Sequence, residues 1–177
     1  TMPNNTSTTL QTLSYPINNT VKPAIYLSIN IPAGFRALQS PTSDNVIAKF
    51  VPQQDDDYKW TQIITGVTIK NTQVTADELV KYMQTKFKEH ATAVKIIDST
   101  STVHQDYQEA CTTIDYNINK RHEIVYMCYY CGPDDCAGIQ NAMLWPAGEK
   151  TTATDMAAKL KPFVENNVKV ITQPATN

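Results

Sequence analysis

Glycine is scarce, with five in 177 residues, and neither GxGxxG nor GxxxxGK[ST] occurs. That argues against a glycine-rich phosphate cradle and implies no nucleotide cofactor. Clusters of Lys and Arg are missing too, and the formal net charge is -2. The electrostatic footprint of nucleic-acid binding is therefore absent. No apolar run approaches the roughly 20 residues of a membrane-spanning helix, so no membrane span is expected. No segment reads as a signal peptide. Charged residues make up only 18% of the chain, below the usual quarter or so. Thr, Asn and Gln supply the polarity instead, which implies a neutral, hydrogen-bonding surface.

The length is enough for one domain with a substantial core. Residues 1–22 are rich in Thr, Asn and Ser. They read as an extended N-terminal arm with room for a short edge strand, and 23–177 as a single α+β domain. AIYLSINI (24–31) is β-branched and aromatic, then breaks at Pro32-Ala33-Gly34. VIAKFVP (46–52) and YKWTQIITGVTI (58–69) read as further strands, with Gly66 as a candidate bulge. Thr75-Ala76-Asp77-Glu78 is a capping box. Leu79, Met83 and Phe87 follow it at helical spacing, which predicts a helix to about His90. Strands are expected over 94–100, 107–117, 122–131 and 138–146. A second helix should open at Thr152 or Thr154 and be kinked or ended by Pro162. Residues 168–172 read as a last strand or a docked tail. Strand runs with interspersed helices mean α+β: a central antiparallel sheet of about six to seven strands flanked by two main helices. Both faces of 124–130 are apolar, which places that strand centrally, covered on each side.

Three of the four cysteines lie in CYYCGPDDC, residues 128–136. A hairpin turn at Asn119-Lys120 sets Ile118 opposite Arg121. The same register sets Cys111 opposite Cys128 at a non-hydrogen-bonded position, where Cα atoms come within about 4.5 Å, inside the reach of a disulfide. Cys131 and Cys136 flank Gly132-Pro133-Asp134-Asp135, a strong turn sequence, and can close a second small loop. Cys128 and Cys131 have opposite strand parity, which disfavours a shared metal. A zinc site from Cys128, Cys131, Cys136 and His122 remains open, and so does a set of free thiols. The favoured reading is structural disulfides 111–128 and 131–136, which implies an oxidising compartment.

Candidate chemistry is thin, and no catalytic residue is assigned. His90 suits the C-terminal end of the first helix. His104 lies between Ser101 and Asp106, too close along the chain for the usual triad geometry. His122 reads as solvated. Asp55-Asp56-Asp57 is a charged turn without the spacing of a calcium loop. Trp60, Tyr126, Tyr130 and Trp145 read as sheet positions, each with an apolar body and a polar tip. That suits ligand or partner binding as well as core packing.

IYLSINIPAGFRAL (25–38), through Pro32, Gly34 and Phe35, resembles the opening of Mog1/PsbP-like proteins. The resemblance spans about 24–166 and implies an α/β/α sandwich that binds without catalysing. VPQQDDDYKWTQIIT (51–65) is similar to a segment of small exported proteins of Gram-negative intracellular bacteria such as Legionella. The combined expectation is an exported, disulfide-stabilised, non-catalytic binding protein, periplasmic or extracellular, with a virulence-related role in view. Its partner would be a protein or a small apolar ligand. A small secreted hydrolase and a zinc-binding module are the alternatives.

Overall fold

The computed structural model describes residues 9–18, 23–39, 45–70 and 72–173. The chain runs β1 (Thr9–Asn18), β2 (Ala24–Pro32), β3 (Phe35–Ala37), β4 (Val46–Pro52), β5 (Gln62–Ile69), α1 (Ala76–His90), β6 (Thr92–Val103), β7 (Gln108–Ile118), β8 (Arg121–Cys131), β9 (Cys136–Leu144), α2 (Ala153–Asn167) and β10 (Val168–Gln173). Two antiparallel sheets result. A seven-stranded sheet has the order β3-β4-β5-β9-β8-β7-β6, and a three-stranded sheet has the order β1-β2-β10. The fold is α+β, and the expected strand count holds for the larger sheet.

The second sheet is the feature that the strand pattern did not reveal. Pro32 ends β2, and Gly34 turns at φ 99°, a conformation that favours glycine. Phe35 then enters the other sheet opposite Pro52. The Pro-x-Gly motif is thus the point where the chain changes sheets. Within the segment read as an arm, β1 pairs along β2 and buries Leu13, Tyr15 and Ile17.

The Thr75 capping box forms, with Thr75 accepting from the Glu78 amide and Glu78 from the Thr75 amide. It launches α1, which carries the chain from β5 across one face of the large sheet to the far edge strand β6. Leu79 and Val80 bury there, with Met83 and Phe87 packed beside them. The other face is covered jointly by α2 and the three-stranded sheet. Asn141, fully buried, ties α2 down: its Nδ2 donates to the Leu160 carbonyl at 3.1 Å, while Gln62 donates to its Oδ1 at 2.9 Å.

Two local expectations need correction. Of the two outcomes expected at Pro162, a kink or an end, the end does not occur: α2 continues to Asn167. Pro162 and Ala158 both lie on the exposed side, where solvent can reach the carbonyl that the proline leaves without its donor. Gly66 is not a bulge, because the β5–β9 register is unbroken through it. The irregularity lies in β4, between Val46 and Ala48. Gly66 instead leaves room for the Tyr15 side chain, whose hydroxyl would stand 3.0 Å from an added Cβ.

Candidate functional site

β8 sits between β7 and β9, with α1 on one side and α2 on the other. Its alternation therefore sorts side chains between two covered layers. Val125, Met127, Tyr129 and Cys131 join the α1 layer. Cys128 and Tyr130 join the layer of the three-stranded sheet, and Ile124 packs under α2.

The cysteines follow the same parity. The turn at Asn119 and Lys120, both at positive φ, sets Ile118 opposite Arg121 and Cys111 opposite Cys128. Cys111 and Cys128 are disulfide-bonded, with Cα atoms 4.1 Å apart. Cys131 and Cys136 form the second bridge, also at 4.1 Å, across the β8–β9 turn. One bridge lies on each face of β8. All four sulfurs are spent in disulfides, so the zinc and free-thiol alternatives lose their thiolates.

Beside the 111–128 bridge, a cleft of about 190 Å³ opens between the large sheet and the α2–β10 segment. β8 supplies Tyr126, Cys128 and Tyr130 to it. Tyr107 and Glu109 come from the start of β7. Val164 and Glu165 come from α2, and Val168 and Val170 from β10. Register explains the acidic contribution: Glu109 pairs with Tyr130, two places from the Cys111–Cys128 pair.

The phenols here are held neutral. Burial, then the charges of Asp98, Glu165 and Glu109, pushes Tyr126 up to about 12. Burial, then Glu109, pushes Tyr130 up further still. Tyr107 is raised by burial and by Glu109. Tyr130 is 6% exposed, yet its hydroxyl has no hydrogen-bond partner among the described residues. Unlike the Tyr15 hydroxyl, which is sealed in the core without a partner, this one is open to the cleft, where a ligand atom or water can reach it.

Trp60 and Trp145 lie elsewhere, at the hairpin end of β7–β8 and just outside the strands, not in sheet positions. Each has its own partner. The Arg121 guanidinium stands 4.4 Å from the Trp60 ring centroid and donates to the Trp60 carbonyl at 2.7 Å. Arg121 Nε also donates to Glu123, whose other oxygen accepts from the Tyr116 hydroxyl, both at 2.8 Å. On the opposite face, Trp145 stacks on the His122 ring at 4.3 Å. His122 is not simply solvated, because its Nε2 donates to Asp115. Of the four aromatic candidates, only Tyr126 and Tyr130 share a cavity. Two wider hollows, of about 360 and 520 Å³, contain none of the four.

The remaining polar candidates serve local structure. His104 donates to Glu109 at 2.9 Å and stacks on Tyr107. Asp55 accepts from the Thr61 amide and hydroxyl, and Asp56 from the Tyr58 amide. Asp57 pairs with Arg36. His90 sits in the last turn of α1. Sequence reasoning missed Tyr107, Glu109 and Glu165. The register that paired the cysteines already put Glu109 opposite Tyr130. Nothing in the sequence placed Glu165, because that required knowing where α2 docks.

Buried phenols make stability sensitive to alkali. Tyr129, fully buried and bonded to Gln140 at 2.7 Å, is pushed up to about 12, chiefly by burial. Below pH 10 the phenol is protonated in both folded and unfolded chains, and stability is level. Between pH 10 and 12 the unfolded chain ionises first, so stability falls. Tyr129 alone accounts for about 2–3 kcal/mol of that loss. Urea titrations across pH 8–12 should show the decline, and Tyr129→Phe should make it shallower.

No family model and no curated protein sequence matches the chain. Solved structures do. LpqN of Mycobacterium tuberculosis, involved in cell envelope biogenesis, superposes with a TM-score of 0.56 at 12% identity, covering 92% of each chain. The Ran-binding protein Mog1p of Saccharomyces cerevisiae gives 0.56 at 10% identity, covering 81% of this chain and 89% of its own. The cyanobacterial PsbP of Synechocystis gives 0.56 at 12% identity, covering 92% and 93%. At such identities the likeness is one of fold. The fold is Mog1/PsbP-like, as residues 25–38 implied.

Proposed function

We propose that this protein is an exported, disulfide-stabilised binding protein that takes a small ligand in the tyrosine-walled cleft and performs no chemistry on it. The observation that carries the reading is the cleft wall: Tyr130, 6% exposed and with no protein partner for its hydroxyl, lines a cavity between the two layers together with Tyr107, Tyr126, Glu109 and Glu165. Convergent polar groups in a partly apolar hollow are what small-molecule sites offer. The lining contains tyrosines, glutamates, valines and a bridged cysteine, with no serine, threonine, histidine or free thiol among them. That favours binding over the hydrolase alternative. Two disulfides suit folding in an oxidising compartment, and a cell-envelope protein shares the fold. No helix among the described residues is long and apolar enough to cross a membrane. A host-facing role rests on the likeness of residues 51–65 alone.

The test is a thermal-shift panel of small apolar, cationic and anionic compounds on the wild type and on Val170→Phe, which fills the cleft from β10. Compounds that bind here raise the wild-type Tm and leave the variant unmoved. If every stabilising compound acts equally on both proteins, the cleft is not the site.

A further inference from the structure

The cleft's walls are better matched to a cation than to an apolar ligand. We propose that its occupant is a small organic cation bearing an alkylated ammonium group. This inference rests on the reading of the cleft as the binding site. Three tyrosines and two carboxylates line it, one face of the Tyr107 ring being taken by His104, and no lysine or arginine lines it. Aromatic faces attract cations through their quadrupoles, most strongly when the cation is poorly hydrated and the site is shielded from water. Alkylated ammonium groups meet that condition, and a carboxylate at the rim supplies the counter-charge.

Glu165 has no ion-pair partner among the described residues, and it is exposed on α2 at the mouth. Glu109 shares one oxygen with His104. Lys161 stands 5.7 Å from the Tyr126 ring centroid, but Asp98 holds its ammonium at 2.8 Å and Thr113 donates to the other oxygen of Asp98. That pair is neutral as a unit, so the cleft keeps the field of its two glutamates. Their charges reach the phenols: after burial, both raise the Tyr126 pKa and Glu109 raises that of Tyr130. Size narrows the class. About 190 Å³ is less than a drug-sized molecule needs, so a headgroup-sized cation is the fit.

Choline and 3,3-dimethylbutan-1-ol have the same shape and differ in charge. Titrating each into ¹⁵N-labelled protein gives two dissociation constants and shows which amides respond. Choline should shift amides of Glu109, Tyr126, Tyr130 and Val170, and bind about tenfold or more tightly than the alcohol. Glu165→Gln, a surface change that leaves the fold alone, should weaken choline severalfold without affecting the alcohol. Tyr126→Leu should weaken choline about tenfold. If the alcohol binds as well as choline at these amides, the cation assignment falls while the cleft stands as an apolar site. If choline moves no cleft amide, the assignment also falls, and the Val170→Phe panel decides separately whether the cleft binds anything.

Discussion

Replacing Cys111 and Cys128 together by alanine lowers the stability of the fold by about 3 kcal/mol, whereas replacing Cys131 and Cys136 costs about 2 kcal/mol. Both figures come from the chain entropy that a cross-link removes from the unfolded state, which grows with the logarithm of the closed loop. The separations are 17 and 5 residues. The longer loop also carries the functional consequence. Cys128 lies between Tyr126 and Tyr130 on the cleft side of β8, and its partner lies two residues from Glu109 on β7. Without the bridge, those cleft groups are held in register by main-chain hydrogen bonds alone. Amide exchange should speed up most at 109–113 and 126–130, and ligand-induced stabilisation should shrink. The 131–136 variant, altered on the α1 face, should keep ligand binding near wild type at a temperature where both remain folded.

Arg121→Ala is expected to be as damaging, at about 3 kcal/mol or more, for an electrostatic reason. Glu123 is 5% exposed and is served by two donors, Arg121 and Tyr116. Removing the guanidinium leaves a carboxylate in a buried position without its counter-charge, which is far costlier than losing a surface ion pair. Trp60 also loses the cation over its ring and the donor to its carbonyl. The double variant Arg121→Met, Glu123→Leu strands no charge, leaves only the Tyr116 hydroxyl without its acceptor, and should recover part of the loss. Chemical denaturation of both proteins at neutral pH separates the two effects. A double variant as unstable as the single would mean that Arg121 acts through packing, not charge.

Much of the fold was legible because short-range rules govern it. Helix α1 begins where Thr75 and Glu78 cap it. The β7–β8 register follows from a two-residue turn, and that register alone brought Cys111 to Cys128. The apolar residues on both faces of β8 correctly announced a covered central strand. What stayed hidden depends on which layers meet. Nothing local tells β2 to leave the large sheet and pair with β1 and β10. Nothing local tells Glu165 to reach the same cleft as Glu109, and the choice is made by tertiary docking of α2. Trp60 and Trp145 misled for a related reason. Their amphipathic rings suit a binding surface, but Arg121 and His122, neighbours only in the folded chain, already occupy them.

The exported-binder account depends most on its sulfur chemistry inside the producing cell. The direct measurement is peptide mapping of protein taken from that cell, with thiols trapped by alkylation before lysis. The account predicts no alkylated cysteine and two cross-linked peptide pairs, 111 with 128 and 131 with 136. Four alkylated cysteines would place the protein in a reducing compartment and contradict it.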